Sequence, residues 1–238
     1  MRTQHFRAWL IYAGWLISQA PLLWLSYSLI LGLLLSLGRV SLGLGVFIAM
    51  TGLFVGIGIA KYVELKASPN QEAPLNFLWA LKKSLPLAVL GALSMVVSWF
   101  VFRLLNNLYS GEYAAIMQFF FYWEFIPENI ATKNVLQLFA WLYGYASAAL
   151  IFVILMLTTF ASWFSYPLML FQSKSWSTAN NLGNAATIKH RSALYKLLGF
   201  IFLLVFFGGG ILPMLIPFIY TLVSILIYVS YQSVFSEP

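Results

Sequence analysis

The segment Gly43–Lys61, GLGVFIAMTGLFVGIGIAK, decides the fold, because it carries no charged residue before its last position. A helix of about 20 apolar residues is needed to cross the roughly 30 Å hydrocarbon layer of a bilayer. Five further stretches have the same character, which predicts six transmembrane helices. The predicted spans are Pro21–Leu37, Gly43–Lys61, Leu85–Leu105, Leu136–Leu157, Leu194–Phe207 and Ile211–Gln232.

Composition agrees with a chain that folds in lipid. Of its 238 residues, 62% are hydrophobic and 8% are charged, against about 45–50% and about 25% in soluble domains. Residues 1–238 are therefore predicted to form a single integral membrane domain. The formal charge of +7 indicates contact with membrane lipids and not with nucleic acid, because the basic residues are scattered singly between the spans.

The distribution of charge predicts the orientation. With six spans, ten of the thirteen basic residues fall on one side of the membrane together with three glutamates, which gives that side a net charge of +7. The other side has three basic and three acidic residues, so its net charge is zero. Loops rich in Lys and Arg stay in the cytoplasm, so both termini are predicted to be cytoplasmic. The ten basic residues are Arg2, Arg7, Lys61, Lys66, Lys82, Lys83, Lys174, Lys189, Arg191 and Lys196, and the glutamates are Glu64, Glu72 and Glu237.

The spans pair into three predicted hairpins. The first turns at Gly38–Ser41, and the second runs through an aromatic-rich outer connection, residues 106–135. The third is predicted to turn at Gly208–Gly210, where three residues without side chains permit a tight reversal.

A stretch of mixed basic and apolar residues precedes each hairpin, at Phe6–Ala20, Pro74–Leu85 and Thr178–Ala193. We expect these stretches to be amphipathic helices that lie in the plane of the cytoplasmic headgroups. Three copies of such a helix with its hairpin would be an internal repeat. The alternative is that any loop entering a span changes from basic to apolar.

Small residues at helix-contact spacing predict where spans approach each other. Gly52 and Gly56 form a GxxxG motif, and Gly144 with Ala148 forms a second small-xxx-small pair. Such pairs let two backbones come close in lipid. Packing within the bundle is favoured over a dimer interface, because six spans have many internal contacts to make.

The outer connection is the candidate site for a partner. Large apolar surfaces are not left in water, so its aromatic residues either form a belt at the outer headgroups or dock another membrane subunit. The candidate docking residues are Phe119, Phe120, Phe121, Tyr122, Trp123 and Phe125.

Catalytic and cofactor motifs are missing from the sequence. The chain has no cysteine and no aspartate, and neither His5 nor His190 has a second ligand at metal-binding spacing. The glutamates fall in predicted connections or at the C-terminus, which argues against a proton relay through the spans. We therefore expect no enzyme activity, no cofactor and no metal.

Two groups of residues carry a resemblance to known proteins. They are Gly14-Trp15, Pro21 and Trp24 near the start, and Pro213, Pro217, Tyr228, Tyr231 and Phe235 at the end. In these positions the chain resembles a group of small proteobacterial inner-membrane proteins of unknown function. The resemblance implies a six-span, all-helical protein of the bacterial inner membrane, and it carries over no functional residue.

Together these patterns predict an all-α membrane protein that acts as a non-catalytic accessory or assembly subunit of a larger inner-membrane complex. The alternative is a carrier or channel for a lipid or an uncharged solute. That alternative predicts a cavity near the bilayer midplane bounded by Ser94, Ser98, Thr158 and Thr159.

Overall fold

The computed structural model describes residues 6–67, 77–111 and 113–235, and helices account for most of this part of the chain. Short 3₁₀ turns lie at Ser36–Arg39 and Pro213–Leu215. The α-helices are α1 Phe6–Gln19, α2 Pro21–Leu35, α3 Leu42–Ala67, α4 Phe77–Ser110, α5 Tyr113–Gln118, α6 Pro127–Ala131, α7 Val135–Thr159, α8 Ser165–Gln172, α9 Trp176–Lys189, α10 Arg191–Gly210 and α11 Ile216–Phe235.

All six predicted spans are confirmed as helices long and apolar enough to cross a membrane. The protein is an all-α, multi-pass membrane protein. The membrane-length segments are Pro21–Arg39, Leu42–Ala67, Leu81–Ser110, Val135–Thr159, Arg191–Gly210 and Pro213–Phe235. We call the end of the bundle with Phe6 and Phe235 the terminal face, and the end with the connections 36–41, 113–134 and 211–212 the loop face.

Helices α3 and α11 form the centre of the bundle. Within the most apolar 18-residue stretch of each helix, 67% of the residues in α3 and 78% of those in α11 are buried, against 11% in α4. The remaining membrane-length helices pack around this pair and turn much of their surface outward. A helix that is apolar all round and buried is the expected choice for such a central position.

The central pair meets through small and hydroxylated residues. The Ser224 hydroxyl donates to the Leu53 carbonyl of α3 at 2.7 Å. A Cβ atom built on Gly56 would lie 2.6 Å from Ser224 Oγ, and one on Gly52 would lie 2.5 Å from Leu31 of α2. Both glycines of the predicted motif thus lie at helix contacts. Gly56 leaves no room beside Ser224, whereas Gly52 faces the movable end of the Leu31 side chain.

The second small-residue pair lies elsewhere. Gly144 and Ala148 are both exposed on α7, and a Cβ atom built on Gly144 meets no atom within 4 Å. The prediction that this pair packs inside the bundle is wrong. Sequence spacing identifies small residues on one helix face, but it does not say which face meets another helix.

Two of the three expected surface helices exist as separate helices. Helix α1 ends at Gln19, ahead of Pro21, and α9 ends at Lys189, where His190 separates it from α10. Their position relative to the headgroups stays a prediction. The third expectation is wrong for its described residues, because α4 runs without a break from Phe77 through Pro86; residues 74–76 lie outside the described part.

The third hairpin turns later than predicted. Helix α10 continues through Gly210, and the chain reverses at Ile211 and Leu212. A Cβ atom on Gly208 would collide with the Ile219 side chain of α11. Gly208 therefore serves close packing between two helices and not a turn.

Helix α8 was not predicted. The segment 161–168 that leads into it is buried throughout. Tyr166 stacks on Phe54 of α3 with 4.3 Å between ring centroids, and the Trp163 indole donates to Ser230 Oγ of α11 at 2.9 Å. Burial raises the pKa of the Tyr166 phenol, with a smaller contribution from Tyr27, so this phenol stays neutral. The segment after α7 thus fills space beside the central pair.

The two glycine pairs give a matched test of the packing. Gly56→Ala should lower the free energy of unfolding by about 1–3 kcal/mol, because the new methyl group forces α3 away from Ser224. Gly144→Ala should instead be neutral or stabilise the protein by up to about 1 kcal/mol, through helix propensity in open space. Unfolding by sodium dodecyl sulfate in mixed micelles measures both. Equal losses in the two variants would contradict the close contact at Gly56.

Candidate functional site

The aromatic connection is fixed to the first hairpin by backbone hydrogen bonds. Residues 121–126 are irregular and lie between α5 and α6. The Gly43 amide donates to the Phe119 carbonyl at 2.8 Å, the Tyr122 amide donates to the Val40 carbonyl at 2.8 Å, and the Glu124 amide donates to the Arg39 carbonyl at 3.0 Å. These bonds join the second connection of the loop face to the first.

The Glu124 side chain extends this attachment to α7. One carboxylate oxygen, Oε2, accepts from the Arg39 guanidinium at 2.9 Å and from the Trp141 indole at 2.9 Å. The Arg39 guanidinium also lies 5.1 Å from the Trp141 ring centroid, and Phe125 meets the same ring edge to face. This ion pair is half-buried, and its guanidinium also contacts an aromatic ring. Such a pair holds the connection in place more firmly than an exposed ion pair does.

The candidate docking residues divide by exposure. Phe119 is 1% exposed and packs on Phe100 with 5.2 Å between ring centroids, so its assignment to a docking surface is wrong. Phe125 is half-buried against Trp141. The other four are between 49% and 66% exposed and form what we call the aromatic patch: Phe120, Phe121, Tyr122 and Trp123.

The hydroxyls expected to line a cavity do not do so. Ser94, Ser98 and Thr158 are exposed and bond to carbonyls of their own helices. Thr159 is exposed as well. A hydroxyl that bonds back within its helix needs no polar cavity. The structure therefore does not show these four residues around a cavity, which is the arrangement that the carrier or channel alternative requires.

A buried carboxylate on the terminal face is the feature that the sequence analysis missed. Glu64 lies in the last turns of α3 and is 7% exposed. It accepts hydrogen bonds from the Tyr12 phenol of α1 and the Tyr228 phenol of α11. The Lys61 ammonium pairs with its Oε2 at 3.2 Å. We call these four residues the Glu64 cluster.

The cluster is continuous with an aromatic layer. Phe171 of α8 packs edge to face on Tyr228 and also contacts Tyr231, whose hydroxyl accepts from Gln172 at 3.2 Å. The Lys61 ammonium lies 6.0 Å from the Tyr228 ring centroid. A carboxyl group removed from water needs hydrogen-bonding partners to offset its lost hydration. The phenols and the ammonium supply them, and they come from three helices.

Glu64 was placed outside the spans because the sequence pattern does not show where α3 ends. Sequence patterning ended the second span at Lys61 and assigned Glu64 to a cytoplasmic connection, whereas α3 continues to Ala67. A Lys and a Glu three residues apart lie on one side of a helix. The pair Lys61 and Glu64 directly after an apolar run was the available signal. The two tyrosines are distant in sequence, so only the fold brings them together.

Chemically, the Glu64 cluster is suited to holding helices together. Its carboxylate already accepts from two phenols and one ammonium group. Among the residues that the structure describes, no group of three His, Asp or Glu side chains could hold a metal ion. The arrangement joins α1 to both helices of the central pair, α3 and α11.

Comparison with known proteins gives no relative. No protein-family model matches the chain, and no curated protein or solved structure matches it. The class of protein follows from the fold itself, which is that of a multi-pass, all-α membrane protein with six membrane-length helices.

The Glu64 cluster predicts a graded loss of stability. Tyr12→Phe should cost about 1.5–3 kcal/mol, because a hydrogen bond to a charged group is lost, and it should speed amide hydrogen exchange mainly in α1. Glu64→Gln should cost at least as much and speed exchange in α1, α3 and α11, since all three helices contact the carboxylate. Thermal unfolding in detergent with exchange mass spectrometry measures both effects.

Tyr195→Phe is the control, because that tyrosine is exposed on α10. It should change the free energy of unfolding by no more than about 0.5 kcal/mol. If Tyr12→Phe leaves α1 exchange as slow as the control does, the cluster does not hold α1 in place.

Proposed function

We propose that this protein is a non-catalytic accessory or assembly subunit of a larger complex in the bacterial inner membrane, and that the aromatic patch is its contact surface for another membrane subunit. The observation that carries the proposal is the fixed geometry of the patch. Four exposed aromatic side chains stand on a segment tied to the first hairpin and to α7.

Rigidity distinguishes a contact surface from a lipid belt. Aromatic residues of a lipid belt need only lie at the headgroup level on their own helices. Here the backbone at Tyr122 and Glu124 bonds to the first hairpin, and the Glu124 carboxylate is held by Arg39 and Trp141. A surface ordered before binding loses less entropy when a partner docks, and aromatic residues dominate the energetics of protein interfaces.

The packing of the bundle supports a non-catalytic subunit over a carrier. The centre between α3 and α11 is filled by the contact of Gly56 with Ser224 and by fully buried residues such as Tyr220 and Ile225. The hydroxyls expected around a midplane cavity bond within their own helices instead. The Glu64 carboxylate accepts from donors on three helices, α1, α3 and α11, which favours a structural role for it.

The proposed orientation has the terminal face in the cytoplasm. Its support is the charge distribution along the sequence, because the connections predicted on the side of the termini carry the whole net charge of +7. The bacterial inner membrane is the membrane that the resemblance described from the sequence implies. The aromatic patch on the loop face would then meet partners at the outer surface of that membrane.

Orientation can be tested on this cysteine-free chain by adding one cysteine at a time. Thr132→Cys, on the loop face, should react with a membrane-impermeant maleimide in intact spheroplasts. Lys83→Cys and Lys189→Cys should react only after permeabilisation, because the proposed orientation puts them in the cytoplasm. The unaltered chain is the control for background labelling. The reverse pattern would refute the orientation.

The contact surface can be tested by purification from native membranes in mild detergent, followed by mass spectrometry. A membrane subunit should copurify with the unaltered chain. The triple variant Phe120→Ser, Phe121→Ser and Trp123→Ser should lose at least about tenfold of that subunit while it still inserts, because aromatic anchors carry most of an interface.

A matched control replaces three exposed aromatic residues outside the patch, with Tyr109→Ser, Phe206→Ser and Phe207→Ser. This variant should retain the subunit. The proposal fails if the unaltered chain is recovered alone under several mild detergents, or if both triple variants retain the subunit equally.

A further inference from the structure

A groove on the terminal face brings basic side chains from distant parts of the chain together. It has a volume of about 640 Å³ and is lined by the start of α1 and the junction of α9 with α10. We call it the basic groove. Its principal lining residues are Phe6, Arg7, Lys189, His190, Arg191 and Lys196.

The charge of the basic groove is strongly one-sided. Arg7, Lys189, Arg191 and Lys196 give it four positive charges, and all nine of its lining residues, which belong to the described part of the chain, are neutral or basic. Burial, and then the charge on Lys189, lowers the pKa of His190, so its ring is neutral at pH 7. Four cations around one concave surface favour an anionic ligand.

The backbone adds to this preference. Arg191, Ser192 and Ala193 line the groove and are the first residues of α10. The N-cap residue, His190, makes no side-chain capping hydrogen bond. The first amide groups of a helix lack partners within the helix and carry a partial positive charge. This contribution has the same sign as the four side chains.

The apolar part of the lining indicates what kind of anion fits. Phe6 and Ala193 are half-buried in the groove, and Ile188 is exposed beside them. Helix α10 continues from the groove into a membrane-length segment whose outer surface presents Tyr195 and Phe202. Cations at the end of a span next to an exposed apolar helix face match a phosphate headgroup with its acyl chains.

We propose that the basic groove is a binding site for an anionic phospholipid, with the phosphate held by Arg7, Lys189, Arg191 and Lys196 and the acyl chains along α10. A free phosphate ion carries the same kind of negative charge, but it has no acyl chains to contact the exposed apolar face of α10. The two parts of the groove are joined by the fold, since Phe6 of α1 packs edge to face on Phe200 of α10 with 5.8 Å between centroids. The site is independent of the aromatic patch, which lies on the loop face.

The test uses the full-length chain in a neutral detergent, titrated with phosphatidylglycerol, with phosphatidylcholine and with inorganic phosphate. Native mass spectrometry counts bound lipid. The groove variant is Lys189→Gln, Arg191→Gln and Lys196→Gln. The control variant, Lys82→Gln, Lys83→Gln and Lys174→Gln, removes the same charge from exposed positions outside the groove.

We expect the unaltered chain to retain phosphatidylglycerol in preference to phosphatidylcholine. The groove variant should bind it at least about tenfold more weakly, and the control variant should stay within about twofold, because each cation near the headgroup contributes separately. Thermal unfolding checks that the groove variant is folded. If it is not, Arg191→Gln alone should weaken binding by about fivefold.

Three results would overturn the proposal. Equal weakening in the groove and control variants would mean that general surface charge attracts the lipid. Equal retention of phosphatidylcholine would remove the preference for an anion. Displacement of the lipid by inorganic phosphate at a similar concentration would make the groove a site for soluble phosphate.

Discussion

The contact of Gly56 with Ser224 is the interaction on which the bundle depends. Lipid gives helices no hydrophobic reason to associate, so close backbone approach and hydrogen bonds between helices must hold them. At this contact the Ser224 hydroxyl reaches the Leu53 carbonyl, and the glycine leaves no space between α3 and α11. The other membrane-length helices and the α8 segment are arranged around the pair that this contact creates.

Each end of the bundle is then fixed by one carboxylate. On the terminal face Glu64 joins α3 to α1 and α11, and on the loop face Glu124 joins the aromatic connection to Arg39 and Trp141. Both carboxylates are shared between segments distant in sequence. Hydrogen bonds from several donors to one carboxylate stabilise the contact and also restrict its geometry. Such a carboxylate can therefore fix the position of a connection or of a terminal helix.

The six spans could be predicted because crossing a membrane requires length and apolarity, which are both local properties of the sequence. The Glu64 cluster and α8 could not, because their partners come from distant helices. Pro86 shows a different limit. It marks a break in a soluble helix, yet α4 runs through it, since membrane-spanning helices tolerate proline where other groups satisfy the freed backbone. In the aromatic connection, composition identified the segment, and only the fold separated buried Phe119 from its exposed neighbours.

Helix α4 differs from every other membrane-length helix in how little of it the protein covers. Only 11% of its most apolar window is buried, although its mean hydropathy is 2.1. The helix is covered from one side, because it packs along α3 and leaves the rest of its apolar surface to lipid. During biogenesis α3 and α4 can therefore enter the bilayer as a pair, before α11 is made and completes the centre of the bundle.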